Sequence, residues 1–298
     1  MRKTLGVNIS HNCSFAYFEN NILKEYYEED RFNKIKNYMP DDNEDGNYTY
    51  EYKVLQKFKN ITFDVVAVSS YDRGHLQIEL PIINHILKQI KYKKYYFDIN
   101  NHHIYHVTCG YYFSKFKKAL AVITDGGGEI YNKWFKVMQS IFYIDDKNIK
   151  TYYKHFTNNK IDYFLNFNEI PSEEHIKIND HDSTVSNKLI GGYKYLKYTM
   201  EAGFKPFEEG QLMGLAAYKN PIAIKAQEEC LQENIELIKK AITYNDCKNI
   251  ILSGGYHLNC SNNFKLVKHF PDLNFFVDPI AHDGGTAVGV AYYENYIK

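Results

Sequence analysis

Residues 119–129 read ALAVITDGGGE, and this stretch decides how we interpret the whole chain. Its apolar half predicts a short buried strand, and its polar half predicts the turn at which that strand ends. Asp125 places a carboxylate at the turn, and Gly126, Gly127 and Gly128 let backbone amides approach an anion. Such a turn is typical of a site where metal and phosphate chemistry meet.

Two further segments repeat this pattern. Residues 5–9 and 249–253 are short apolar runs that end in polar or glycine-containing turns, and residues 226–242 carry apolar side chains at helical spacing. Strands of this kind that alternate with helices predict an α/β fold. Since ligands of α/β proteins bind at the carboxyl ends of strands, we expect the three turns to face one cleft. Residues 80–92 predict a helix with a basic end.

The segment from 102 to 106 reads HHIYH and contains a candidate metal-binding pair. His102 and His106 are four residues apart, so on a helix their Cβ atoms would lie about 6 Å apart on one face. Two such imidazoles can share one metal ion, to which Asp125 can add an oxygen ligand. The spacing alone leaves an alternative open, in which the two histidines are ordinary hydrogen-bonded residues of a surface helix. His103 would point to another face, in a structural or substrate-facing role.

Composition excludes several classes of function. The chain has 298 residues, and its 36 Lys and Arg balance its 36 Asp and Glu. We therefore expect no nucleic-acid or membrane partner, and no apolar run is long enough to span a bilayer. The apolar stretch at the N-terminus is too short for a signal peptide. Five cysteines without CxxC spacing predict reduced thiols and a cytoplasmic protein.

Seven segments resemble, in the same order, the sequence blocks of NodU/CmcH-type O-carbamoyltransferases. They are GVNISHNCSFA at 6–16 (family GInisHDaSaa), EEDRFNKIK at 28–36 (EEERFsRiKh), HHIYHV at 102–107 (HHlaHA), TDGGGE at 124–129 (vDGvGE), EGQLMGLAAY at 209–218 (EGKvMGLApYG), SGGYHLNC at 253–260 (aGGvaLNc) and DPIAHDGGTAVG at 278–289 (qPaagDaGtAlGaA). Each block is a weak signal, but seven in order cover almost the whole chain.

The resemblance implies a fold and an activity. The matching part of the family has the actin-like ATPase (ASKHA) fold, an α/β fold with two similar lobes around a nucleotide cleft. We expect the first lobe at 1–118 and the second at 119–298, with the C-terminal helix packing back on the first. The implied reaction moves a carbamoyl group from carbamoyl-adenylate to a hydroxyl of a small-molecule acceptor. A YrdC-type domain makes the adenylate from carbamoyl phosphate and ATP; we expect a separate YrdC-type protein in that role, and a homodimer is left open.

The resemblance also implies a metal site. His102, His106, Asp125 and Asp283 match the positions of the family's metal ligands. Imidazole and carboxylate ligands together suit Fe(II), which we favour, or Mn or Zn.

Nucleotide-binding and catalytic positions follow in the same way. ATP or carbamoyl-adenylate is the implied nucleotide ligand, His11 is a candidate acid or base, and Asn12 stands at a catalytic position beside it. The implied nucleotide-binding residues are Gly126, Gly127, Gly128, Glu209, Gly210, Gly214, Gly254, Gly255 and Asn259, of which Asn259 would contact the sugar. Glycine turns alone would be weak evidence, because glycine also serves ordinary tight turns.

Two departures from the family pattern remove charge. Asn12 replaces an aspartate and Gln211 replaces a lysine. An alternative function is therefore a catalytically weak or inactive nucleotide- and metal-binding module that regulates a partner enzyme. A sugar-kinase-like phosphotransferase is disfavoured, because kinases of this fold bind Mg²⁺ through carboxylates, water and phosphate rather than imidazoles. The acceptor cannot be read from the sequence, because its specificity would lie in loops such as residues 37–50 and 158–182.

Overall fold

A computed structural model describes residues 1–40, 51–70, 76–132, 135–158 and 173–298. Most of the two loops in which we expect acceptor specificity lies outside the described residues. Within the described chain, no helix is both long enough and apolar enough to cross a bilayer.

Among the described residues, the N-terminal part of the chain forms a five-stranded mixed sheet in the order β3-β2-β1-β4-β5. Its strands are β1 (Lys3–Asn8), β2 (Ser14–Glu19), β3 (Ile22–Glu28), β4 (Thr62–Ser69) and β5 (Lys91–Asp98). Strand β1 pairs antiparallel with β2 and parallel with β4, and β4 pairs parallel with β5. Because β1 is central and buried, the turn that follows it is held at the carboxyl edge of the sheet.

The second sheet has eight strands within the part of the chain that the structure describes, in the order β10-β11-β9-β8-β6-β12-β13 and with β7 paired to β8. They are β6 (Lys118–Thr124), β7 (Ile130–Tyr131), β8 (Phe135–Asp145), β9 (Ile149–Asn158), β10 (Glu173–Ile178), β11 (His181–Ser186), β12 (Asn249–Ser253) and β13 (Asn274–Val277). Strand β6 pairs parallel with β12, so the turns after Thr124 and Ser253 lie side by side. The first sheet ends at Asp98 and the second begins at Lys118, while the division into lobes at residue 118 stays a prediction.

Helices connect and cover the two sheets. They are α1 (Asp30–Asn33), α2 (Leu76–Leu87), α3 (His102–Ser114), α4 (Gly191–Glu201), α5 (Glu209–Leu215), α6 (Pro221–Tyr244), α7 (Cys260–His269) and α8 (Gly285–Tyr292). Short 3-10 turns occupy Val54–Lys57, Ala216–Tyr218 and Gly255–Leu258, and a π-helical turn occupies Tyr293–Ile297.

Most of the predicted strands and helices agree with the observed ones. The strands predicted at 5–9, 119–123 and 249–253 are confirmed as β1, β6 and β12, and the helix predicted at 226–242 lies within α6. The prediction for residues 80–92 is wrong at its basic end, because α2 ends at Leu87 and Lys91 begins strand β5. Tyrosine and phenylalanine favour strands, and pairing with β4 supplies the backbone hydrogen bonds.

Helices α3 and α8 form the centre of the molecule. They pack against each other, with α8 against β1 of the first sheet and α3 against β6 and β12 of the second. One buried apolar cluster accordingly joins Phe18 of β2, Val107 of α3, Ile123 of β6 and Val288 of α8. Because His102 and His106 lie at the start of α3, this packing carries both imidazoles into the interior.

The contact between α3 and α8 depends on a glycine. A Cβ atom at Gly289 would lie 1.9 Å from the carbonyl oxygen of Tyr105. The oxygen of Gly289 in turn accepts a hydrogen bond of 2.9 Å from Thr108 Oγ1. Any side chain at this position would therefore push the two helices apart.

We predict that Gly289→Ala destabilises the protein by at least about 1–3 kcal/mol, the usual cost of overpacking a core. Gly214→Ala is the matched control, because Gly214 is also helical but a Cβ there meets nothing within 4 Å. That control should be neutral or stabilising by up to about 1 kcal/mol. Urea denaturation of both variants measures the difference, and equal stabilities would contradict this packing.

Candidate metal and nucleotide site

The histidine pair of α3 faces the interior. His102 and His106 both have 0% exposed surface, and their Nε2 atoms lie 3.2 Å apart. The helical spacing predicted from the sequence therefore places them on one face. The surface-helix alternative is wrong, because this helix is enclosed by the two sheets.

Two carboxylates reach the same point from other segments. Asp125 follows β6, and Asp283 lies in the turn before α8. One donor atom each from His102, His106, Asp125 and Asp283 lies within 4.8 Å of all the others. The structure thus brings together the four predicted metal ligands, which are separated by up to 181 residues in the chain.

The distances fit a metal ion. His102 Nε2 lies 3.2 Å from Asp125 Oδ2 and 3.6 Å from Asp283 Oδ1. His106 Nε2 lies 3.8 and 3.7 Å from the same two oxygens. Four tetrahedral donors at about 2.1 Å from a central ion would lie about 3.4 Å from one another. Asp283 Oδ1 is buried and has no hydrogen-bond partner among the described residues, which further supports the fit.

Neighbouring groups hold the outer oxygen of each carboxylate. The amide of Gly255 donates to Asp125 Oδ1 at 2.8 Å. The hydroxyl of Ser10 lies 2.8 Å from Asp283 Oδ2, and His11 Nδ1 lies 3.3 Å from the same oxygen. These contacts turn the other carboxylate oxygens toward the imidazoles, as hydrogen bonds around metal ligands generally do.

Electrostatics of the cluster favour a bound cation. Burial alone would lower the pKa of His102, but the carboxylates of Asp283 and Asp125 raise it to about 10. Burial and the neighbouring Asp283 would raise the pKa of Asp125, yet the imidazoles lower it well below its ordinary value. The pKa of Asp283 is also lowered, by His11 and His102 against the effect of burial. Without metal, the cluster therefore holds a proton on His102 between two ionised carboxylates.

His103 lies outside this ligand set. It is fully buried, and its Nδ1 lies 2.8 Å from Ser140 Oγ. Burial lowers the pKa of His103 to about 3, so the ring is neutral.

A cavity of about 440 Å³ opens beside the cluster. Its walls are formed by His11, Asn12, Lys36, Asn37, Asp125, Gly126, Gly127, Lys136, Gly192, Tyr193, Tyr195, Leu196, Phe207, Glu209, Gly210, Met213, Gly255, Tyr256, Leu258 and His282. Asp125 belongs both to the cavity wall and to the four predicted metal ligands. A small molecule bound in the cavity could therefore reach the position between these four residues. Of the predicted site residues, His11, Asn12, Asp125, Gly126, Gly127, Glu209, Gly210 and Gly255 line this cavity.

Asn12 has a backbone conformation that suits asparagine. Its backbone φ is +59°, a left-handed conformation that asparagine adopts more readily than most residues. Its carbonyl accepts a hydrogen bond from Asn8 Nδ2 at 3.2 Å, and its side-chain amide donates to Asn37 Oδ1 at 3.4 Å. The position predicted to lack the family's negative charge therefore faces the cavity as a neutral amide.

Three of the predicted nucleotide-binding residues do not line the cavity for identifiable reasons. The amide of Gly128 is already bonded to the carbonyl of Val137 at 2.9 Å. Gly214 lies on the exposed side of α5. Asn259 caps α7, with Oδ1 accepting from Asn262 N at 3.1 Å and Nδ2 donating to Gln227 at 3.0 Å.

Gly254 is also absent from the cavity wall, but it positions a residue that is there. Its φ is +93°, and a Cβ atom at Gly254 would lie 2.4 Å from the carbonyl oxygen of Thr124. The two turns can approach this closely only with glycine at this position. The approach brings the amide of Gly255 to Asp125.

Much of the cavity wall, including Lys136 and the tyrosines of α4, was not predicted from the sequence. The position of Lys136 beside the cavity could have been predicted, because β8 returns antiparallel to β6 and its first residues must pass the turn at Asp125. Backbone hydrogen bonds from Asp125 N to Met138 O and from Gly128 N to Val137 O fix this approach. The positions of Tyr193 and Tyr195 could not have been predicted in this way, because only the packing of α4 against the Asp125 turn places these side chains in the cavity wall.

Comparison with solved structures identifies the class of fold. A structure of full-length HypF in a phosphate- and nucleotide-bound form is similar over 99% of this chain and 55% of that chain, with 12% identity and a TM-score of 0.55. T. kodakarensis HypF is similar over 99% of this chain and 48% of that one, with 11% identity and a TM-score of 0.52. A ROK family protein from Streptococcus pneumoniae TIGR4 in complex with sucrose gives 13% identity, a TM-score of 0.51 and 98% coverage of both chains.

These similarities show the fold alone, and that fold is the actin-like ATPase fold, with two α/β sheets around the cavity. The chain spans about half the length of the two HypF structures. The family model described as carbamoyltransferase N-terminus matches residues 12–248, and the chain belongs to this family. A comparison with curated protein sequences gave no match.

We predict that metal affinity rises about tenfold per pH unit from pH 6.5 to 8.5, because a metal must displace the proton from His102. The pKa of His102 is about 10 in the metal-free fold, above its ordinary 6.5, so the ring stays protonated over this whole range. Competition with a chelator at several pH values measures the slope.

His103→Ala is the matched control for this measurement. His103 is buried on the same helix turn but is not one of the four predicted metal ligands. The His103→Ala variant should therefore keep both the metal and the pH dependence of its affinity. A flat affinity profile in the wild type would contradict a protonated His102 in the metal-free cluster.

Proposed function

We propose that this protein transfers a carbamoyl group from carbamoyl-adenylate to a hydroxyl of a small-molecule acceptor, and that a YrdC-type protein supplies the adenylate. The observation that carries the proposal is the position of Asp125, which belongs both to the four-residue ligand set and to the cavity wall. Membership of the carbamoyltransferase family supports the reaction class. The five free cysteines support a reducing compartment, so we place the reaction in the cytoplasm.

His102, His106, Asp125 and Asp283 would hold the metal, for which we favour Fe(II), with Mn or Zn as alternatives. A bound divalent ion would neutralise phosphate charge and polarise the carbamoyl carbonyl. The remaining steps fall to the residues of the cavity wall.

His11 is the residue that we assign to proton transfer. Its side chain is 27% exposed, and its Nδ1 lies 3.3 Å from Asp283 Oδ2, between the ligand set and the cavity. In the proposed step the acceptor oxygen attacks the carbamoyl carbon, and the bond from that carbon to the phosphate oxygen of AMP breaks. The proton of the acceptor hydroxyl passes to His11, and AMP leaves with the electron pair of the broken bond.

The cavity wall offers matching groups for an adenylate. Gly126 and Gly127 expose a turn to which phosphate oxygens can come close, and Lys36 and Lys136 supply positive charge. The amide of Gly255 is already bonded to Asp125, so this glycine contributes space rather than a donor. The aromatic side of the cavity, formed by Tyr193, Tyr195 and Tyr256, suits the nucleoside.

A second candidate function is a nucleotide- and metal-binding module with little or no turnover. Asn12 favours it, because this neutral side chain lines the cavity where the family pattern has a carboxylate. Binding of metal and nucleotide is expected under both proposals, so only turnover separates them.

We predict that ATP or AMP raises the melting temperature of the metal-loaded protein by mass action, and that Gly255→Leu abolishes this shift. A Cβ at Gly255 already lies 3.2 Å from Asp125 Oδ1, so a larger side chain must extend into the cavity. Gly214→Leu, outside the cavity, is the control and should retain the shift. Metal content measured in parallel separates a blocked cavity from a displaced Asp125, and a normal shift in Gly255→Leu would place the nucleotide elsewhere.

The test of the transferase is Asn12→Asp. Given carbamoyl phosphate, ATP and a YrdC-type protein, the wild type should carbamoylate hydroxyl acceptors slowly. Restoring the carboxylate should raise the rate by about 10²–10³, the usual effect of one well-placed electrostatic group. Nucleotide affinity should change little.

Asn179→Asp is the matched control, because Asn179 is also left-handed, with φ +52°, but lies in an exposed turn between β10 and β11. It should leave the rate unchanged. If wild type and Asn12→Asp are both inert over a range of acceptors with a competent partner, the module without turnover is the better account.

A further inference from the structure

Behind the metal-ligand set lies a second pair of buried polar residues, Ser253 and Asp278. Ser253 ends β12, and Asp278 follows β13, which pairs parallel with β12. The two residues therefore emerge at the same edge of the second sheet, next to α3. Ser253 is 0% exposed and Asp278 3% exposed, so neither serves as a surface group.

The contacts of this pair form a chain that ends at His106. Ser253 Oγ donates to Asp278 Oδ2 at 2.7 Å, a distance typical of a strong hydroxyl donor. Ser253 Oγ also lies 3.4 Å from His106 Nδ1. The other oxygen of Asp278 accepts from the amide of Ile280 at 2.9 Å, which fixes the carboxyl group in place.

We propose that Ser253 and Asp278 are positioning residues that hold His106 in the tautomer and orientation needed to bind a metal through Nε2. The inference rests on the metal site of the proposed function. Because the hydroxyl hydrogen of Ser253 points to Asp278, its oxygen presents a lone pair to His106. His106 Nδ1 then donates to that oxygen, and Nε2 carries the lone pair that faces His102, Asp125 and Asp283.

The arrangement agrees with how the two carboxylate ligands are held. Asp125 and Asp283 are each oriented through their outer oxygens, by Gly255 and by Ser10 and His11. Ser253 performs the corresponding task for an imidazole. Polar partners of this kind typically change metal affinity by about 10- to 100-fold when removed.

The chain contains a matched control for this contact. Ser186 in β11 is also buried, at 1% exposure, and its Oγ lies 2.9 Å from His155 Nε2. Ser186→Ala removes the same kind of serine–histidine hydrogen bond from the same sheet. His155 belongs to no ligand set among the described residues.

The experiment adds Co(II) to the metal-free full chain and measures affinity by chelator competition and geometry by the visible d–d spectrum. Ser253→Ala should weaken Co(II) binding about 10- to 100-fold and alter the spectrum, while Ser186→Ala should match the wild type in both. Melting temperatures of the metal-free proteins test for a merely structural effect, which would lower both serine variants alike. If Ser253→Ala does not fold, Asp278→Asn replaces it, because its amide can reverse the hydrogen bond to Ser253 and so disfavour the required tautomer.

Equal Co(II) affinity and spectra in wild type, Ser253→Ala and Asp278→Asn would overturn the assignment while leaving the metal site intact. No Co(II) binding by the wild type would overturn the metal site itself, and the assignment with it.

Discussion

The structure depends on bringing four ionisable side chains out of water to one point. His102 and His106 are 0% exposed, Asp125 is 4% and Asp283 is 1% exposed. Burying charge is costly unless each charge is paired, and removing one member of a buried set typically costs about 3–5 kcal/mol. The set comes from α3, from the end of β6 and from the turn before α8, so it can form only when both sheets have packed around the two central helices. The ligand set therefore requires the complete fold, and loss of one member would leave a buried charge uncompensated.

Short sequence patterns were sufficient to predict those elements that depend mainly on neighbouring residues. The strands at 5–9, 119–123 and 249–253 and the helical spacing of His102 and His106 follow from short apolar runs and from periodicity. Residues 91–98 did not follow, because their strand depends on pairing with β4, a contact that neighbouring residues do not encode. The resemblance to a family, rather than spacing, brought Asp283 into the ligand set.

The predicted nucleotide-binding residues show the limit of assigning roles from a family resemblance. A glycine in a motif can simply line the cavity, as Gly126 does, or allow two backbone turns to approach each other, as Gly254 does, and only the contacts distinguish the two. Asn259 was assigned to the sugar, yet both ends of its side chain are used to cap α7 and to bind Gln227. Ser253 ends β12 and Asp278 follows β13, and the two residues lie in different sequence blocks, so no local pattern predicted that they would meet behind His106.

Of the two departures from the family pattern, Asn12 and Gln211, only Asn12 lines the cavity. Gln211 is exposed, and its amide donates to Glu208 at 3.2 Å, outside the cavity wall. Lys36 and Lys136 reach the cavity from other segments, so positive charge is present there without a lysine at 211. Asn12 does line the cavity, as a neutral side chain at a position where the family pattern has a carboxylate.

The central claim is that His102, His106, Asp125 and Asp283 surround a metal ion. Anomalous diffraction from crystals of protein prepared without chelators, collected on both sides of the iron, manganese and zinc absorption edges, tests it most directly. We predict one peak at the centre of the four donor atoms, about 2.0–2.2 Å from each, with the absorption edge identifying the element. A map without a peak there, in crystals that keep the direct contact of 3.2 Å between His102 and Asp125, would contradict it.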